Sequence, residues 1–381
     1  MKKFIRIGFV LVALVSLTNC GGGGGGGAGA PSSSSNNPPP DGSGASWQVA
    51  TGLSVGVLST VSCPDSTHCF AASLSNGSNT GSSRIIKSTD MGHSWAGVFQ
   101  ENGASARSWL EIHFSDSLNG SIVGAGVQHP MKTIDGGTTW TNITNLSVPY
   151  SLVFNDANHG VFSGLYGANL TPPVSLSWST DGGTTWVDAS ITSSYSSTGY
   201  LPNFIFKKPV FVISSTGSKT TTGFAVGQTG GGVYEHLLIK TTDGGATWTE
   251  ITTGYPTATS PRKTFSSVYF TDINHGWIGT LEGTVLHTAD GGTTWATQNV
   301  NLSDSVNAVN CTDSLHCWAI TLGSLVYGTT DGGTTWTQQT MPTASGVTAF
   351  SDIAFMDNLH GVLVGTSNGN EYVLYTSTGG F

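Results

Sequence analysis

One phrase recurs along this chain: Ser/Thr-x-Asp-Gly-Gly-x-Thr-Trp. Clean copies place the Asp and Trp at Asp135/Trp140, Asp181/Trp186, Asp243/Trp248, Asp290/Trp295 and Asp331/Trp336. A looser copy runs from Ser88 to Trp95 and carries Asp90. Successive aspartates are 45, 46, 62, 47 and 41 residues apart. A period in the mid-forties suits four short strands and their turns, which make one propeller blade.

A second motif precedes most of these boxes: Phe-x-Asp-x-x-His/Asn-Gly, then a short apolar strand. It starts at Phe114, Phe154, Phe270 and Phe355. Two further copies have Cys at both ends, Cys63–Cys69 and Cys311–Cys317. An aliphatic residue stands two positions earlier each time: Val61, Ile112, Leu152, Val268, Val309 and Ile353. The fourth repeat lacks the motif but keeps Gly223-Phe224-Ala225-Val226-Gly227 as its second strand. The expected blade follows. Strand a ends at the Phe or Cys. The Asp caps backbone amides two residues on, and the Gly takes positive φ. Strands b and c lead to the Asp box, a second hairpin. Its Trp opens strand d and packs between blades.

Six boxes give six blades. A seventh begins near Val347 and ends in Thr376-Ser377-Thr378-Gly379-Gly380-Phe381, a degraded box with no strand after it. Gly44-Ala45-Ser46-Trp47-Gln48-Val49 resembles the continuation of the fourth box. The expectation is an all-β fold over residues 45–381: one seven-bladed propeller of four-stranded blades, closed by the N-terminal strand at 45–50. Closure removes exposed sheet edges.

The N-terminus reads as a targeting segment. Lys2, Lys3 and Arg6 precede a short apolar run from Ile7 to Leu17, too short for a permanent span. Leu17-Thr18-Asn19-Cys20 resembles the bacterial lipobox, in which the Cys becomes the lipidated first residue. Residues 1–20 are therefore expected to be a lipoprotein signal peptide, with an ordinary signal peptide as the alternative. Residues 21–44 (GGGGGGGAGAPSSSSNNPPPDGSG) have nothing to bury and read as a disordered tether. Contact with a membrane is expected through the anchor only, and the location is the bacterial cell envelope.

The Asp-box and Phe-x-Asp pattern over residues 45–381 resembles the photosystem II stability/assembly factor family and its bacterial relatives with sialidase-type (BNR) repeats. The resemblance implies the propeller fold. Its functions are diverse, because this repeat occurs in sialidases, xyloglucan hydrolases, sortilin-type receptors and assembly factors alike.

The two Cys pairs occupy equivalent positions and flank a turn, so each can bridge locally. Export supplies an oxidising compartment. Two disulfides use every Cys except Cys20. Metal binding by Cys with His68 or His316 is the alternative. Against it, His159, His275 and His360 hold the same place in copies without Cys, so no metal site is expected.

Charged residues make up only 9% of the chain and the formal net charge is −9. That excludes the dense basic footprint of a nucleic-acid binder. The repeated aspartates are unsuited to catalysis, because acid/base pairs must converge on one substrate. Beyond the signal region the arginines are Arg84, Arg107 and Arg262. They match a sialidase triad in number, but Arg84 lies on a strand c, off the expected face. No catalytic residue and no cofactor is assigned.

Both turn motifs fall on one face of a propeller. The d–a and b–c loops form the other face, where length varies and ligands usually bind. The candidate ligand residues there are Arg107, Trp109, Glu111, Tyr200, Tyr234, His236 and Arg262, and aromatic groups with a few charges suit a protein or a glycan. The expected function is a monomeric, non-enzymatic scaffold or recognition module on an exported lipoprotein. The alternative is a glycoside hydrolase.

Overall fold

A computed structural model describes residues 46–381, apart from 54–55, 76–81, 104–105, 126–128, 167–174, 194–203, 207, 214–218, 230–235, 253–263, 299–303 and 343–346. The described chain is all-β and forms seven sheets, six of them four-stranded and antiparallel throughout. Blade one runs Val57–Ser62, Cys69–Leu74, Ser82–Ser88 and Ala96–Asn102. Blade seven runs Val347–Phe355, Gly361–Ser367 and Asn370–Thr376, and its outer strand is Gln48–Val49 from the N-terminus. Gln48 faces Tyr375 and Val49 faces Leu374. The ring therefore closes as the sequence implies.

The core is divided among the interfaces between blades. Seven apolar clusters each join two neighbouring blades, and each contains one box Trp or its equivalent. Trp95, Trp140, Trp186, Trp248, Trp295 and Trp336 serve six of them. Trp47 serves the seventh, is fully buried, and meets the edge of Phe355 at 5.8 Å. The same edge-on contact recurs at 6.0 Å between Phe114 and Trp140 and between Phe270 and Trp295.

Each box is a closed hydrogen-bond circuit. At Asp135, Oδ1 accepts the Thr139 amide at 2.9 Å and Oδ2 accepts its hydroxyl at 2.6 Å. The Thr133 hydroxyl donates to Oδ1 at 2.8 Å and accepts the Gly137 amide at 3.0 Å. Gly136 and Gly137 have φ of 68° and 84°, which only glycine adopts freely. In the looser box Met91 takes the first of these places at φ 61°. The box turn is tied to the a–b turn of its own blade: the Gly136, Gly182, Gly332 and Gly379 amides donate to Leu118, Asn158, Leu315 and Leu359 carbonyls.

The glycine that ends the Phe-x-Asp motif has a different role from the one expected. Gly120, Gly160, Gly276 and Gly361 do not have positive φ. They pair in register with Phe114, Phe154, Phe270 and Phe355. The Phe ring lies across each glycine, and a Cβ there would meet it at 2.4–2.8 Å. Steric space, not backbone twist, requires glycine. In two blades a Cys pair replaces the Phe–Gly pair, and both disulfides form: Cys63–Cys69 and Cys311–Cys317, with Cα–Cα distances of 4.1 and 4.0 Å. Each closes a short loop, so the Cys311→Ala/Cys317→Ala variant should lose roughly 2 kcal/mol. Chemical denaturation against the intact protein measures it.

Blade four elaborates the four-stranded plan. Its inner strand is split into Phe204–Phe206 and Val210–Ile213, both paired with the long strand Lys219–Thr229. Pro209 stands in the break, where it has no N–H to give a ladder. Outside, Ser190–Thr192 adds in parallel to the outer strand Thr247–Glu250. The long 62-residue spacing is thus used partly in strands.

Candidate functional site

The Asp-box face is chemically committed. Asp65, Asp116, Asp156, Asp272, Asp313 and Asp357 each accept two amides of their own turn at 2.7–2.9 Å. Three residues on, a His pairs with the same carboxylate, as His275 does with Asp272 at 2.8 Å, and Asn119 takes that place for Asp116. The lysines Lys87, Lys132 and Lys240 each donate to a box carbonyl of the next blade. No carboxylate from these turns converges with another on a common point.

On the opposite face the seven candidates separate. Tyr200, Tyr234 and Arg262 lie outside the described residues, as do the loop residues around them. His236 opens the strand His236–Thr241 and pairs with Gln228. Arg107 is held in place: it bridges Glu101 at 3.0 Å, donates to the His129 carbonyl at 2.9 Å and lies 5.1 Å over the Trp109 ring. Its side chain is only 10% exposed. Trp109 is a correction. It is fully buried in the cluster between blades one and two and offers no surface to a ligand.

Glu111 points to a feature that sequence reading missed. Three residues before the Phe or Cys, the inner strands carry Thr60, Glu111, Ser151, Ser267, Ala308 and Asp352, and Lys208 stands at the matching place before Phe211. Four of these staple the next blade. Thr60 accepts the Ile112 amide at 3.2 Å, Ser267 accepts Val309 at 3.0 Å, and Asp352 accepts Val61 at 3.1 Å. Glu111 takes the Leu152 amide and the Ser151 hydroxyl, the latter at 2.8 Å. Inner strands of adjacent blades are too splayed to share a ladder, so side chains satisfy their amides.

Glu111 is also where charges from three blades meet. Burial pushes its carboxyl up to about 7; Lys208 pulls it down and Asp352 pushes it up. A raised acid stabilises the fold below its unfolded value near 4.5 and costs stability as pH rises through 7. Part of Glu111 stays accessible, which reduces that cost to about 1–3 kcal/mol. Glu111→Gln keeps an acceptor for Leu152 and removes the charge. It should melt higher than the parent at pH 8, with the gain gone by pH 5; thermal melts at both values check this.

Among the described residues no three His, Cys, Asp or Glu are grouped to hold a metal ion. No helix among them is long and apolar enough to cross a membrane.

These features define a seven-bladed propeller of the Asp-box class, latched by its N-terminal strand. A family model for the photosynthesis system II assembly factor YCF48 matches residues 206–348. The chain is an Asp-box repeat propeller resembling that family. Among solved structures, YCF48 bound to D1 peptide superposes with TM-score 0.61 at 16% identity, covering 87% of this chain and 97% of that one. YCF48 from Cyanidioschyzon merolae gives 0.55 at 18%, covering 87% and 98%. The GH74 xyloglucanase from Xanthomonas campestris gives 0.54 at 12%, covering 81% of this chain and 50% of that one. At such identities the likeness is one of fold. A comparison with curated protein sequences finds no match.

Proposed function

We propose that this chain is a non-enzymatic scaffold that recognises a partner protein through the face opposite the Asp boxes. One observation carries the reading. The polar groups of the Asp-box turns are spent on their own amides and hydroxyls, which leaves the b–c and d–a side for recognition. A protein of the same fold has been solved with a bound peptide, which supports a polypeptide partner over a glycan. The protein is exported, lipidated at Cys20 and held in the cell envelope by the Gly-rich tether.

The test is affinity capture with photo-crosslinking from each face. Leu322 sits in a b–c turn and is 47% exposed, while Leu118 sits in an a–b turn and is 53% exposed. Leu322→Asp should weaken capture of the crosslinked partner at least fivefold and Leu118→Asp should not. The reverse result would move recognition to the Asp-box face. Palmitate labelling that survives Cys20→Ala would remove the anchor from the proposal.

Glu111 favours a second reading, glycoside hydrolysis, because an acid near neutrality beside a second carboxylate suits acid/base chemistry. Both carboxylates are occupied as staples, which weighs against it. Turnover on a glycoside panel that disappears in Glu111→Gln would establish it.

A further inference from the structure

Most outer strands of this ring are short. Thr141–Asn142, Val187–Asp188, Ala296–Thr297, Thr337–Gln338 and Gln48–Val49 have two residues each. The four-residue outer strand of blade four is covered by Ser190–Thr192. Blade one differs: its outer strand, Ala96–Asn102, has seven residues and, among the described residues, stands at the edge of its sheet. Long open edges template further strands, and proteins usually shorten or cover them.

We propose that the edge Ala96–Asn102 docks an extended segment of a partner polypeptide as a fifth strand of blade one. The chain shows how such a strand seats. In blade four Ser190, Ile191 and Thr192 run parallel to Thr247, Trp248 and Thr249. In blade one the same pairing is begun and abandoned. The Thr51 amide donates to the His93 carbonyl and the Trp95 amide to the Thr51 carbonyl, both at 3.1 Å. The chain then leaves at Gly52, which has φ 82° and where a Cβ would collide with the Trp95 carbonyl.

The open edge begins there. His93 and Trp95 present main-chain groups outward, so by strand alternation Gly97 does too. Gly97 is exposed and has no side chain to hold an incoming strand away. A bulge follows, since Ile86 faces Gly97 and Ile85 faces Phe99. It turns both Val98 and Phe99 toward the cluster shared with blade two, where they remain partly buried. A cavity of about 250 Å³ lined by Arg84, Gly97, Val98, Phe99 and Gln100 lies along this stretch. A row of main-chain donors and acceptors at strand spacing is matched by another strand and not by a sugar. A second copy is disfavoured as occupant, because each chain carries a formal net charge of −9.

The proposal rests on the partner-protein reading for the nature of the occupant, but it places the contact on the rim of blade one. The probes are heptapeptides alternating Thr with Val, Thr with Phe and Ser with Ile, each made with free amides and with alternate amides N-methylated. Hydrogen exchange on the full chain is the readout. Free-amide peptides should slow exchange across Ala96–Asn102 at least tenfold and leave Thr141–Asn142 and Ala296–Thr297 unchanged. N-methylation should abolish the effect. Gly97→Lys and Gln100→Lys should abolish it too, with an unchanged melting temperature. No protection from any free-amide peptide, or protection elsewhere only, overturns the proposal. So does protection that grows with protein concentration in the absence of peptide, which would make a second copy the occupant. Partner capture that still depends on Leu322 after such a failure would leave the recognition face standing and remove only the edge.

Discussion

A chain lacking residues 45–50 will melt roughly 5–10 °C below the intact protein and will aggregate when concentrated. Trp47 is fully buried, and removing such a side chain by itself costs about 3–5 kcal/mol; a large domain converts that into several degrees. The segment does more than fill a cavity. The Trp47 indole donates to Gln339 Oε1 at 2.7 Å, and the Gln339 amide donates to the Gly379 carbonyl at 2.9 Å. Thr376 donates its hydroxyl to the Ser46 carbonyl at 2.8 Å. Deletion also uncovers Asn370–Thr376 as an open edge. Calorimetry and light scattering of the two chains test this. An unchanged melting temperature would mean the ring does not depend on its latch.

Acid should unfold the protein between about pH 4 and pH 2. The Asp-box carboxylates sit low because Thr hydroxyls and amides donate to them: Thr139 holds Asp135 at about 2, Thr185 holds Asp181 there, and Thr294 holds Asp290. Burial alone would raise Asp65, yet the amides and side chains of His68 and Thr67 bring it to about 2. Asp90, Asp156, Asp243, Asp272, Asp313, Asp331 and Asp357 are lowered in the same way. A depressed carboxylate contributes stability that is complete above its unfolded value near 3.8 and is lost as pH falls through the folded value. Eleven such groups act in the same direction, and each turn weakens as its carboxylate is protonated. Circular dichroism from pH 6 to pH 1.5 should show one cooperative loss. Replacing Asp135, Asp181 and Asp290 with Asn should lower stability at pH 7 and flatten the acid limb.

The repeat made the blades, their number and the closure legible because each rests on local chemistry. An Asp, two glycines and a Trp at fixed offsets specify a turn whatever surrounds it. Readings that failed depended on what lies across from a residue. Gly120 looked like a turn glycine, but its reason is the Phe114 ring. Trp109 and Glu111 looked like neighbours on one exposed strand entrance. A bulge at Leu110 lies between them, since Trp109 faces Gly124 and Glu111 faces Val123. It shifts the alternation, so Trp109, Ile112 and Phe114 all turn to the core and Glu111 turns away. Val306, Val309 and Cys311 repeat that pattern around a bulge at Asn307. Regular period-two alternation cannot disclose it.

The direction of the N-terminal strand has a mechanical consequence. Ser46 and Trp47 lie at the box end of blade seven, and the strand runs from there toward the other side. A chain fastened at Cys20, as proposed, would be pulled from the Asp-box side, and a partner on the opposite side would pull against it. That load runs along the strand, so the pairs of Gln48 with Tyr375 and Val49 with Leu374 carry it together, in shear. With only two paired residues to bear the load, the latch that completes the ring is also its weakest mechanical point, and force spectroscopy from residue 20 should open blade seven before any other.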